Sequence, residues 1–182
     1  MDRPKIPATG LKLLYYAQEL RGKICRPMQI DDRNYVEELV QHMVAFTIAH
    51  NGVGLAAPQV GHFIRIAVVL PPEENRAHIL INPEITSFRG CDVTDHEACL
   101  SIPPSRNTAR VVRSETITIA CGTLENPLKK QLSHHHGYEA RIMQHEVDHL
   151  DGLFFIDRVS HLQRNLVLKK YEKWQQRRKS SR

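Results

Sequence analysis

A chain of 182 residues, 41% hydrophobic and 25% charged, is long enough to bury a core and predicts one globular domain over residues 1–182. No apolar run reaches the roughly 18–20 residues of a membrane helix. The opening MDRPKIPATG lacks a charged-then-apolar leader, so a cytoplasmic protein without membrane contact is expected. The formal charge of +5 is uneven, because His161–Arg182 carries eight Lys/Arg against one acid, a local +7 that leaves residues 1–160 near −2.

In chain order, residues 31–50 predict a first helix. Asp31 or Asp32 offers a cap, Val36, Leu39, Val40, Met43, Val44 and Ile48 form an apolar stripe, and Asn51-Gly52 supplies the stop. FIRIAVVL (63–70) reads as a strand cut off by Pro71-Pro72, and HILINP (78–83) as a second strand ending at its proline. VVRSETITIA (111–120) alternates as a strand should. Residues 122–137 read as loop with short strands, and HHH (134–136) as solvated histidines within it. A helix is expected over about 138–150, with Gly152 beyond its end, and a last helix over about 159–179. The closing RRKSSR reads as disordered. Helices interleaved with strands make the expected fold class α+β. The cysteines at 25, 91, 99 and 121 form no CxxC pair and read as small buried hydrophobes, with Cys99 weighed again below.

QHEVDHLDG (144–152) carries the chemistry. On a helix, residues i and i+4 share a face, so His145 and His149 present two imidazoles to one metal, with Glu146 beside them to move a proton. Asp148 is free to support a ligand imidazole or a neighbouring group. A catalytic site of this type needs a third protein ligand and one open position. A third histidine six residues beyond His149 would fall on Phe155, and the only glutamate beyond His149 is Glu172, in the basic helix. The other candidate is a thiolate, Cys99 in EACLSIP (97–103).

GVGLAAPQ (52–59) satisfies a G-x-G-x-x-A dinucleotide pattern, but it follows a helix and leads into a strand, the reverse of what that fingerprint requires. What it offers is backbone with little side-chain cover, which an extended chain could approach, and the Gln59 amide.

Taken together and in this order, GVGLAAPQ, EACLS and QHEVDHLDG resemble the three motifs of the peptide deformylase family. Weaker likeness runs through ELRGKICRPM, ILINPEI, SIPPSR and GYEARIMQHE, from about residue 19 to 158. The resemblance implies antiparallel sheets packed around a central metal-binding helix, and removal of the formyl group from formyl-methionyl nascent peptides. It implies Cys99, His145 and His149 as ligands of one divalent metal, Fe2+ foremost, with Zn2+, Ni2+ or Co2+ able to take the site. Glu146 becomes the acid/base, and Gln59 with the Leu100 N–H meets the oxyanion. Val53, Gly54 and Ala98 offer backbone to the peptide, Tyr138 and Ile142 line the methionine pocket, and Arg106 lies near its mouth.

Three departures stand out: Ala98 where glycine is usual, Arg141 where many members are aliphatic, and an opening of about twenty residues without a counterpart. Arg141 is expected at the rim, its stem packed and its head in solvent. Two rival readings are a zinc peptidase ligated by Glu172 and a non-enzymatic RNA-binding protein with an incidental histidine pair. The basic terminal helix, packing through Val167, Tyr171 and Trp174, is expected to dock on ribosomal RNA.

Overall fold

The computed structural model describes residues 6, 10–16, 20–74 and 76–180. Residues 1–5, 7–9 and 17–19, most of the first twenty, therefore lie outside the described residues, as do the last two residues of RRKSSR.

The architecture is α+β. Helix α1 (Arg33–Ala49) is followed by β1 (Gly54–Ala56), β2 (Ile66–Val69), β3 (His78–Glu97), β4 (Ala109–Gly122) and β5 (Gln131–His136), then α2 (Gly137–Leu150) and α3 (His161–Ser180). The five strands form one antiparallel sheet in sequential order. Alternation along the short strands divides their side chains between two cores. Ala56, Ala67, Val69 and Leu80 meet Ala140, Met143, Val147 and Leu150 of α2. Leu55, Ile66, Val68 and Ile81 face Val36, Leu39 and Met43 of α1. A third core joins Val167 and Tyr171 of α3 to Val111, Phe154, Phe155 and the segment around Cys99.

Several expectations need correction. HILINP does not end at its proline: β3 continues to Glu97, and the register shifts between Ile81 and Glu84, so Pro83 falls where the ladder is irregular. A proline costs no ladder bond at such a bulge. The histidine run is not loop but the end of β5, paired with Thr116–Thr118 of β4. Alternation turns the His135 side chain inward, 11% exposed, so it is not a solvated residue. Helix α3 extends to Ser180, so residues 177–180 of RRKSSR are ordered helix. Asp32 does not cap α1 through its side chain; its carboxylate takes the Arg26 guanidinium at 2.7 and 2.9 Å instead. Cys25 is buried and Cys121 half-buried, but Cys91 is exposed, beside Gly90 on the β3–β4 ribbon. No helix among the described residues is long and apolar enough to cross a membrane.

Candidate metal centre

Helix α2 is buried over most of its length, and one face carries His145, Glu146 and His149. The segment after β3 brings Cys99 against it. Cys99 Sγ lies 3.3 Å from His149 Nε2, and the two Nε2 atoms lie 3.2 Å apart. Hydrogen bonds on the far side of each ring set its tautomer. His145 Nδ1 faces a Glu97 carboxylate oxygen at 2.9 Å and His149 Nδ1 faces the Leu153 carbonyl at 3.1 Å. Both partners only accept, so both Nδ1 atoms carry the proton, which leaves each Nε2 as the nitrogen available to a cation beside the sulfur. Three electron-rich atoms converging this way suit a cation. Tetrahedral bonds of about 2.1 Å to nitrogen and 2.3 Å to sulfur place ligand atoms roughly 3.3–3.6 Å apart. The donor set and its spacing fit a zinc- or iron-type divalent metal held by Cys99, His145 and His149.

Glu97 is the hub behind this site. Its carboxylate accepts from Arg113 at 2.9 Å through both oxygens, from Arg141 Nη1 at 2.8 Å, and from His145. Arg113 continues to Asp148 at 2.6 Å, which also takes Arg158 Nε at 2.6 Å. Burial works against the Glu97 charge, but His145 and Arg113 outweigh it and hold the carboxyl well below the usual range. Asp148 therefore supports the site through arginines rather than through a ligand imidazole. Arg141 corrects the expectation of a solvated head: it is 6% exposed, bonded to Glu97 and to the Val93 and Val111 carbonyls. A buried carboxylate and two carbonyls outcompete water for its planar fork.

Glu146 is 4% exposed, and its Oε2 is buried without a hydrogen-bond partner. Burial, against the opposing pull of His145, pushes its carboxyl up to about 7, and a divalent cation beside it would draw that value back down. Such an orphan oxygen suits a group that exchanges protons with a reactant. Gln59 is pinned by the Ala56 N–H donating to its Oε1 at 2.8 Å, which aims Nε2 at Cys99 Sγ (3.5 Å) and Ser101 Oγ (3.2 Å).

These groups open onto a cleft of about 550 Å³. Val53, Gly54, Gln59, Ala98, Leu100, Tyr138, Ile142, His145 and Glu146 all line it. Arg106 does not; it is exposed beyond Ser105, which marks the cleft wall. Glu172 is exposed on α3 and outside the ligand cluster. β1 pairs with β2 on one side only, which leaves it the edge of the sheet beside the cleft. A Cβ on Gly54 would run into the Glu146 carboxylate and stand 2.9 Å from Ile142 Cγ2, so at this glycine β1 lies close against α2. Glu97 and Arg113 were missed in the sequence as site residues. The signal for Arg113 was present: it lies in phase with inward Val111 on an alternating strand.

The family model for polypeptide deformylase matches residues 11–165. A peptide deformylase of Thermodesulfovibrio yellowstonii is 41% identical over 140 residues, covering 75% of this chain and 82% of that protein. One from Dictyoglomus thermophilum is 42% identical over 139 residues, covering 76% and 85%. Among solved structures, a peptide deformylase from Legionella pneumophila superposes with a TM-score of 0.82 at 31% identity, over 93% of this chain and 97% of that one. The Synechococcus elongatus enzyme in complex with actinonin gives 0.78 at 33%, over 91% and 88%. Sequence and fold agree across the segments that build the cleft, and the chain belongs to the polypeptide deformylase family.

Proposed function

We propose that this protein, as one catalytic domain, hydrolyses the formyl group from formyl-methionyl peptides of nascent chains, leaving formate and a free N-terminus. The observation that carries the reading is the meeting of Cys99 Sγ with His145 and His149 Nε2 at one end of a cleft that also holds Glu146. The divalent metal, when bound, supplies the Lewis acidity that makes water a nucleophile at neutral pH and polarises the formyl group. Fe2+ is the proposed ion, and the two-nitrogen, one-sulfur set also accepts Zn2+, Ni2+ and Co2+.

The chain's own residues do the rest. Glu146 takes the proton of the attacking water and delivers it to the amine nitrogen as the C–N bond breaks. Gln59 Nε2 and the Leu100 N–H donate to the carbonyl oxygen as it gains charge; the grip of Ala56 on Gln59 Oε1 supports this, since it fixes the amide with its donor toward the metal ligands. The edge position of β1 supports strand-like pairing of the peptide with Val53, Gly54 and Ala98 backbone, its methionine side chain reaching Tyr138 and Ile142. Helix α3 is proposed to hold the enzyme, in the cytoplasm, near the ribosome.

Metal analysis of anaerobically purified protein, with formate release from a formyl-Met peptide, tests the reading. One metal equivalent at the Cys99 site and one formate per free amine are expected. Cys99→Ser should lose the metal of this site and Glu172→Ala keep it. Glu146→Gln should keep fold and metal while losing about 10²–10⁴-fold in turnover. A metal-free protein, or near-normal turnover without Glu146, would overturn it.

A further inference from the structure

A second group of ligand-type side chains lies outside the cleft that holds Cys99. His78 opens β3, Glu74 comes from the turn before it, His135 points inward from β5, and Glu139 lies in the first turn of α2. His78 Nε2 stands 2.9 Å from Glu74 Oε2 and 3.3 Å from Glu139 Oε1. His135 Nδ1 stands 2.9 Å from the same Glu139 oxygen, and the two imidazoles meet edge to face with centroids 5.9 Å apart. One imidazole nitrogen thus faces two carboxylates, and one carboxylate oxygen faces two imidazoles.

Hydrogen bonds cannot satisfy this arrangement. A single Nε2–H serves one carboxylate, and Glu139 Oε1, although fully buried, receives no N–H with hydrogen-bond geometry from either ring. The surrounding compensation is partial. Arg76 Nε donates to Glu74 Oε2 at 2.9 Å, and the mouth of the cluster is the half-exposed Glu74. His135 Nε2 lies 2.8 Å from Ser133 Oγ, while its Nδ1 faces Glu139 from behind the cluster. The ligand atoms of Glu74, His78 and Glu139 all lie within 4.8 Å of one another, and the 2.9 and 3.3 Å from His78 Nε2 to the two carboxylates are near the roughly 3.3 Å edge of a tetrahedron with bonds near 2.0 Å to nitrogen and oxygen.

We infer that His78, Glu74 and Glu139 form a second divalent-cation site, with one nitrogen and two oxygen donors, that ties the start of β3 to the base of α2, with His135 standing behind Glu139. One imidazole with two carboxylates suits borderline ions of the zinc class, and three protein donors leave one position for water. Its position gives it a purpose. Glu139 is anchored on the helix that presents His145, Glu146 and His149, so a cation here fixes the helix at the end opposite Leu150.

The test uses the full chain loaded with one equivalent of zinc, titrated with further Zn2+, desalted and analysed for metal. Two retained equivalents are expected. His78→Ala and Glu139→Gln should each retain one and still release formate; Cys99→Ser should retain one and release none. Substituting Co2+ separates the sites independently, since only the Cys99 site gives a thiolate-to-cobalt charge-transfer band. Excess Zn2+ should raise the Tm of Cys99→Ser but not of Cys99→Ser/His78→Ala, because only a site present in the folded state shifts the equilibrium. His134→Ala/His136→Ala, which removes the outward histidines of the run, should leave the count at two. A single retained equivalent in the unsubstituted protein, a second equivalent that survives His78→Ala and Glu139→Gln, or one that disappears with the outward histidines would overturn the inference.

Discussion

Gly54 shows how much of this site is decided by one hydrogen in place of a methyl. Its φ is ordinary, so no turn geometry asks for glycine; the demand comes from Glu146 and Ile142, which occupy the space a Cβ would need. The Ile142 contact is with a branched side chain on a buried helix, and the Glu146 contact is with the proposed acid/base itself, so neither can yield without moving the site. Gly54→Ala should therefore fold and retain its metal while deformylation falls, because a displacement of about 1 Å at a catalytic group costs on the order of 10²-fold. The loss should reside in kcat more than in KM for a short formyl-Met peptide. Turnover within twofold of the unsubstituted protein would show that Glu146 accommodates the methyl and that the close approach is incidental. The same scale explains the misreading of Arg141. Its neighbours along the chain suggest a rim position, but its partners Glu97, Val93 and Val111 come from β3 and β4, which no local pattern announces.

At the scale of elements, α3 combines two jobs that the sequence presents as one basic stripe. Val167 and Tyr171 are buried, the Tyr171 hydroxyl donates to the Tyr16 carbonyl at 2.8 Å, and Trp174 packs on Tyr15 with ring centroids 5.0 Å apart. Not every cation is available to a partner. Arg164 pairs with Asp157 at 3.1 Å, and the Arg178 guanidinium lies 4.7 Å from the centre of the Tyr15 ring. Lys169, Lys170 and Lys173 are exposed, and these are the charges on which ribosome docking is proposed to rest. Cutting the helix at residue 175 would remove Arg178 and the Gln175 bond to Tyr171, confusing packing with charge. Replacing the three lysines by glutamate leaves the packed face intact. That protein should hydrolyse short formyl-peptides normally and lose co-sedimentation with ribosomes at low salt. For Lys173→Glu alone, the slope of log affinity against log salt should flatten by about 1 for each phosphate no longer engaged. Unchanged sedimentation of the triple variant would reduce α3 to a packed helix with a solvated basic face.

For the whole molecule, what could be read in the sequence divides along physical lines. Helix α1 came out of periodicity because it buries one face through local spacing, while β2, buried at all four positions, was legible as a β-branched run cut off by prolines. The His145–His149 pair is equally local, one turn of helix. Cys99 is not: only the resemblance brought it to the helix, since it lies 46 positions before His145 in the chain. The length of β3 was hidden because Pro83 read as a stop, while bulges let the ladder continue past it to Glu97. Least legible was the charge network of Glu97, Arg113, Arg141, Asp148 and Arg158, which spans β3, β4, α2 and the turn before α3. Arg113 is its centre, 4% exposed and bonded to both carboxylates. Replacing it by methionine keeps much of the volume but strands two buried acids with fewer partners, a change that costs about 3–5 kcal/mol when one member of a buried pair is removed. In a chain of this size that should lower Tm by on the order of 10 °C. Metal retention should fall as well, because Glu97 then holds the His145 ring with less support, whereas a purely structural role would lower Tm alone. Calorimetry together with metal analysis of Arg113→Met separates the two. A protein that melts at the original temperature with its metal in place would show that Arg141 and Arg158 suffice to hold both carboxylates.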